Sequence, residues 1–89
     1  DERTRRIGEN ESLYRSINEK IESLNETFGV AAVICECGRL ECSEQIELDI
    51  PTYEHVRADP THFVVLPGHE LLDVETIIER HDGFNVVRK

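Results

Sequence analysis

Three cysteines stand together in Cys35-Glu36-Cys37-Gly38-Arg39-Leu40-Glu41-Cys42, a C-x-C-x4-C arrangement, and the chain has no other cysteine. Zinc is held by soft or borderline ligands in a tetrahedron, and structural zinc sites use four cysteines, three cysteines and a histidine, or two of each. C-x-C is a less usual ligand spacing than C-x2-C. Alternate residues of an extended segment point to one side, however, so both thiolates can face one ion where a strand ends. Gly38 then lets the chain reverse and bring Cys42 back to the same place. The fourth ligand must come from elsewhere, and four histidines are available. His69 is the leading candidate, because Leu66-Pro67-Gly68-His69-Glu70 reads as a turn after a strand and holds the imidazole on a rigid scaffold. His55 lies on a short helix, His62 begins a strand and His81 occupies a hairpin tip.

Other chemistry is open to the same thiols. Free cysteines are often small buried hydrophobes, but these flank a polar Glu-Gly-Arg segment. Cys35 and Cys37 could form a strained and easily reduced disulfide with Cys42 as resolving thiol, which makes a redox-sensing switch the alternative reading. A small zinc hydrolase is a third reading, with Glu36 or Glu70 as general base if His69 is not a ligand. Three thiolates weaken zinc as a Lewis acid, and the His-Glu pair lacks the HExxH spacing. The sequence therefore points to a non-enzymatic, zinc-stabilised protein, a protein-interaction or regulatory module.

The elements that position these residues follow from hydrophobic periodicity. From about Gly8 to Phe28, Tyr14, Ile17, Ile21, Leu24 and Phe28 recur at intervals of three and four, which predicts a long helix with this stripe packed on the protein's own sheet. The same alternation is that of a dimeric coiled-coil seam, although only about two heptads are present, so a protein partner or self-association through the N-terminal helix is also anticipated. Val30–Ile34 is a continuous apolar run, read as a strand buried on both faces. Residues 46–50 alternate with period two. Asp49 is placed to cap a short helix with Pro51 in its first turn, and Tyr53 and Val56 inward. His62 to Leu66 reads as a strand closed by Pro67-Gly68. Asp82-Gly83 between two β-branched segments predicts a hairpin, with a short helix through Val74, Ile77 and Ile78 as the competing reading. The expected fold is α+β: a small single domain over residues 1–89, with one long N-terminal helix on an antiparallel sheet, a zinc-stapled turn and residues 1–7 frayed.

Composition narrows the function classes. The chain has 89 residues and 38% hydrophobic content without Trp or Met. A core that thin benefits from a metal staple. Ten Lys and Arg against nineteen Asp and Glu, a net charge of −9, disfavour a nucleic-acid partner, and Arg3, Arg5 and Arg6 read as a solvated terminus. No run approaches the ~18 apolar residues of a membrane span, and no signal peptide is evident, so no membrane partner and a cytoplasmic location are expected. The clustered, odd number of thiols is unlike a secreted disulfide framework.

Taken together, Asn10-Glu11 and Asn18-Glu19 on the helix, C-x-C-x4-C, Tyr53-Glu54-His55-Val56-Arg57, Pro67-Gly68-His69-Glu70 and the Val-Val-Arg-Lys ending resemble a group of small acidic uncharacterised actinobacterial proteins. The resemblance implies that Cys35, Cys37, Cys42 and His69 act as one unit. It implies no substrate, partner or pathway.

Overall fold

The N-terminal periodicity produces a helix, but the helix turns a different face inward from the one its apolar stripe suggests. The structure, a computed structural model, describes residues 2–37, 39 and 42–89, with side chains at all of these but 2–7, 10, 11 and 26. Helix α1 spans Glu2–Asn25 and tightens into a 3-10 turn over Glu26–Phe28. Gly29 follows with φ +76°, a left-handed conformation that ends the helix without a Cβ penalty. The reading of residues 1–7 as frayed falls on side chains outside the described set, and Asp1 is not described.

Among the described side chains of α1, Tyr14, Arg15, Asn18 and Glu22 are buried, whereas Leu13, Ile17 and Leu24, and Phe28 beyond them, are exposed. The expectation that the apolar stripe packs on the sheet is thus corrected: only Tyr14 and Ile21 of that stripe reach the interior. The cause is polar. Asn18 and Arg15 are held inward by Glu36 and by the backbone of Ile34, and Glu22 by the Arg57 guanidinium 2.9 Å away.

Strand β1 (Val30–Ile34) pairs antiparallel with β2 (Gln45–Asp49), from Val30 opposite Asp49 to Ile34 opposite Gln45. Ala31 and Val33 are buried while Val30 and Ala32 are exposed, so β1 buries one face and not two. Ile46 and Leu48 of β2 face the core as their alternation predicts. Helix α2 (Ile50–Arg57) buries Ile50, Tyr53 and Val56 and carries Pro51 in its first turn. Asp49 occupies the N-cap position, but its carboxylate accepts the Thr52 hydroxyl at 2.6 Å instead of a backbone N–H.

The second half forms a three-stranded antiparallel sheet of β3 (His62–Val65), β4 (Thr76–His81) and β5 (Phe84–Arg88), in the order β3-β5-β4. Residues 76–88 form the hairpin, not the competing helix, and Gly83 takes φ +87° at its turn. The fold is α+β as expected, with its antiparallel strands in two sheets. The Glu36 N–H donates to the Val64 carbonyl at 2.8 Å and stitches the end of β1 to the free edge of β3. One apolar cluster takes residues from β1, β2, α2, β3 and β5 and includes all three cysteines.

Candidate metal centre

The site is built where the two sheets meet. Beyond Ile34 the chain stays extended, and the Cys35 N–H donates to the Glu44 carbonyl at 2.8 Å, prolonging the β1–β2 pairing. Side chains alternate along this segment. Cys35 and Cys37 turn to one side and Glu36, with no exposure, turns to the other, as the C-x-C spacing predicts. Cys42 returns to the same side, and its N–H donates to the Arg39 carbonyl at 3.1 Å. Gly38, the residue expected to reverse the chain, lies outside the described residues, as do Leu40 and Glu41.

The opposing wall is the turn after β3. The His69 N–H donates to the Leu66 carbonyl at 2.9 Å, closing a four-residue turn with Pro67 and Gly68 at its centre. Gly68 has φ +91°, which is the third position of a type II turn and which a side chain would strain. The two ends of this turn both reach the cysteines. The Leu66 N–H donates to Cys35 Sγ at 3.3 Å, and the His69 ring presents Nδ1 at 3.7 Å from Cys35 Sγ and 3.6 Å from Cys42 Sγ. One ligand atom each from Cys35, Cys37, Cys42 and His69 lies within 4.8 Å of all the others. Such a constellation could hold a metal ion. The three cysteines are buried and the histidine is half-buried.

Without a cation the thiols share too few protons to be alike. The hydrogen bond from the Cys35 thiol holds Cys37 down to about 4. The same bond, and then burial, holds Cys35 far above the ordinary thiol range, while burial raises Cys42. Three thiolates so close together need a cation among them.

The chain matches no protein-family model, no curated protein and no solved structure.

Function is therefore read from the site itself. The other three histidines lie elsewhere, each beside a carboxylate: His55 Nε2 is 3.6 Å from Glu79, His62 Nε2 is 3.4 Å from Asp59, and His81 Nε2 is 2.7 Å from Glu79 with its ring stacked on Phe84. The carboxylates considered as a general base are engaged too. Glu70 accepts the Gly68 N–H at 2.9 Å and the Asn85 amide at 3.3 Å.

Glu36 is the residue whose importance the spacing did not announce. Its carboxylate accepts the Tyr53 hydroxyl at 2.7 Å, the Asn18 amide at 2.9 Å and the Val64 N–H at 3.0 Å, and lies 3.5 Å from Arg15 Nε. The Arg15 guanidinium stacks over the Phe63 ring at 4.5 Å. A buried carboxylate is tolerated only when its charge and lone pairs are satisfied, and here they are satisfied from α1, α2 and β3 together. The signal for this was present in side-chain parity. A residue between two ligands on an extended segment must point away from the ion, and here away is the core.

Proposed function

We propose that the protein is a non-enzymatic, zinc-stabilised interaction module whose Cys35, Cys37, Cys42 and His69 bind one structural zinc ion. The observation that carries this reading is the closed donor set: three buried sulfurs and one imidazole nitrogen, with protein filling four positions around one point. Ordinary zinc bond lengths of about 2.3 Å to sulfur and 2.0–2.1 Å to nitrogen give a tetrahedral sulfur–nitrogen edge of about 3.6 Å. The 3.6 and 3.7 Å separations between His69 Nδ1 and the sulfurs of Cys42 and Cys35 match that edge. The ligand set is soft, which favours zinc over magnesium or calcium.

The zinc acts as a cross-link. It joins the end of β1 and its following turn to the end of β3, holding the two sheets at the point where Glu36 and Val64 already meet. A hydrolytic site needs an open coordination position with a base beside it, and Glu36 and Glu70 are both occupied with other partners. Burial of Cys35 and Cys37 also works against a redox sensor, whose thiols are normally accessible. The test is elemental analysis joined to chelation. About one zinc per chain is expected, and removing it should abolish cooperative unfolding. Metal-free protein that melts as sharply as the purified form would overturn the proposal.

A further inference from the structure

We infer that the outward stripe of α1 docks on a second copy of this chain, the two helices antiparallel across a two-fold axis. The stripe is Leu13, Ile17 and Leu24, continued by Phe28 beyond the last helical turn; their exposures are 53%, 37%, 79% and 74%. At 3.6 residues per turn the three helical members fall within an arc of about 40°, and Leu13 and Leu24 stand about 16 Å apart along the axis. The exposed apolar area of the four side chains is on the order of 500 Å², near the largest patch an ordinary monomer leaves open. Here that patch lies on a helix that buries Arg15, Asn18 and Glu22 beside Tyr14, which departs from ordinary amphipathicity.

Area selects the occupant. Full coverage of these residues in two copies would bury about 1,000 Å², the lower limit for a specific interface. The net charge of −9 opposes the pairing of like chains, but one border of the stripe carries the uncharged Ser12, Ser16 and Ser23, with Glu9 the exposed acid beside its N-terminal end. The acids Glu19 and Glu22 are turned to Arg57 instead.

Lys20 borders the arc, about 20° outside it, and sets the direction. Parallel helices would stack Lys20 on its own copy. Antiparallel helices with the axis passing near residues 18 and 19 place Leu13 opposite Leu24 twice and Lys20 opposite Ile17. There the lysine stem covers apolar surface and its ammonium reaches water. A two-fold contact of this kind is closed and self-complementary.

The inference names a partner for the interaction module and rests on that part of the reading. Metal content is measured on every variant, so a lost site and a lost dimer are distinct results. The experiment is sedimentation equilibrium of the metal-replete full chain. A monomer–dimer equilibrium with a micromolar dissociation constant is expected, unchanged or tighter as salt rises, since salt screens the repulsion between acidic copies. Leu13→Glu or Leu24→Glu should weaken it by about tenfold or more with helicity and zinc unchanged, because both side chains are exposed in the monomer. Leu13→Glu combined with Leu24→Lys should restore it, since only antiparallel pairing brings each introduced carboxylate to an introduced ammonium. A chain that stays monomeric at about 0.5 mM, a dimer indifferent to the single substitutions, or a double variant that is not restored would overturn the inference.

Discussion

Asn18 on α1 brackets one residue of β1, donating its amide N–H to the Ile34 carbonyl at 2.7 Å and accepting the Ile34 N–H at 2.8 Å. The same side-chain amide donates to Glu36 at 2.9 Å. One helix residue thus grips the strand immediately before the C-x-C pair and the carboxylate between its cysteines. The grip explains why α1 sits with its polar face inward. Ile34 lies on the edge of β1, and its buried backbone groups would otherwise lack partners.

Replacing Asn18 therefore tests the seating of α1. Asn18→Ala removes three hydrogen bonds and leaves the Ile34 backbone unpaired, costing about 2–4 kcal/mol. Asn18→Asp costs more, because it sets a carboxylate against the Ile34 carbonyl and the Glu36 carboxylate. Urea unfolding of the zinc-loaded protein measures both, and midpoints equal to the parent would contradict this account of the helix.

Tyr53 tests the other side of the Glu36 cluster. Tyr53→Phe deprives a buried carboxylate of its shortest hydrogen bond and should cost about 1.5–3 kcal/mol. Burial first, and then the charge of Glu36, raises the Tyr53 phenol well above its ordinary range. A raised folded value means that this contribution is complete below the unfolded value of about 10 and is lost as pH rises beyond it. The parent should weaken above that pH, with a smaller loss in Tyr53→Phe. Parallel pH profiles would contradict the assignment.

Much of this arrangement was legible in the sequence, and the limit is physical. Alternation along an extended segment was enough to put Cys35 and Cys37 on one side. The Pro67-Gly68 turn after a strand was enough to make His69 the leading candidate among four histidines. The inward face of α1 was not legible, because apolar periodicity reports which residues avoid water and not which polar residues have buried partners. Arg15, Asn18 and Glu22 look like a solvated face until Glu36, Ile34 and Arg57 are placed beside them. The division into two sheets was hidden for a related reason, since the Glu36–Val64 link joins segments far apart in the chain.

The histidines divide cleanly by position. His69→Ala should lower zinc affinity by more than about tenfold, whereas His55→Ala, His62→Ala and His81→Ala should leave it within about twofold. Competition against a chromophoric chelator reads all four. Equal losses from His69 and any other histidine would contradict the ligand set.

Zinc uptake should also release protons. The hydrogen bond to Cys37 and burial raise Cys35, and burial raises Cys42, so a bound cation must displace protons there. Protons should be released near neutral pH, and affinity should rise with pH. Calorimetry in buffers of different ionisation enthalpy counts them, and a value near zero would mean that the thiols are not ligands.

X-ray absorption at the zinc edge of the purified protein tests the central claim most directly. The account predicts three sulfur neighbours at about 2.3 Å and one nitrogen at about 2.0–2.1 Å, with a fixed, imidazole-type outer shell. A fourth neighbour that is an exchangeable oxygen, or a shell with fewer than three sulfurs, would contradict it.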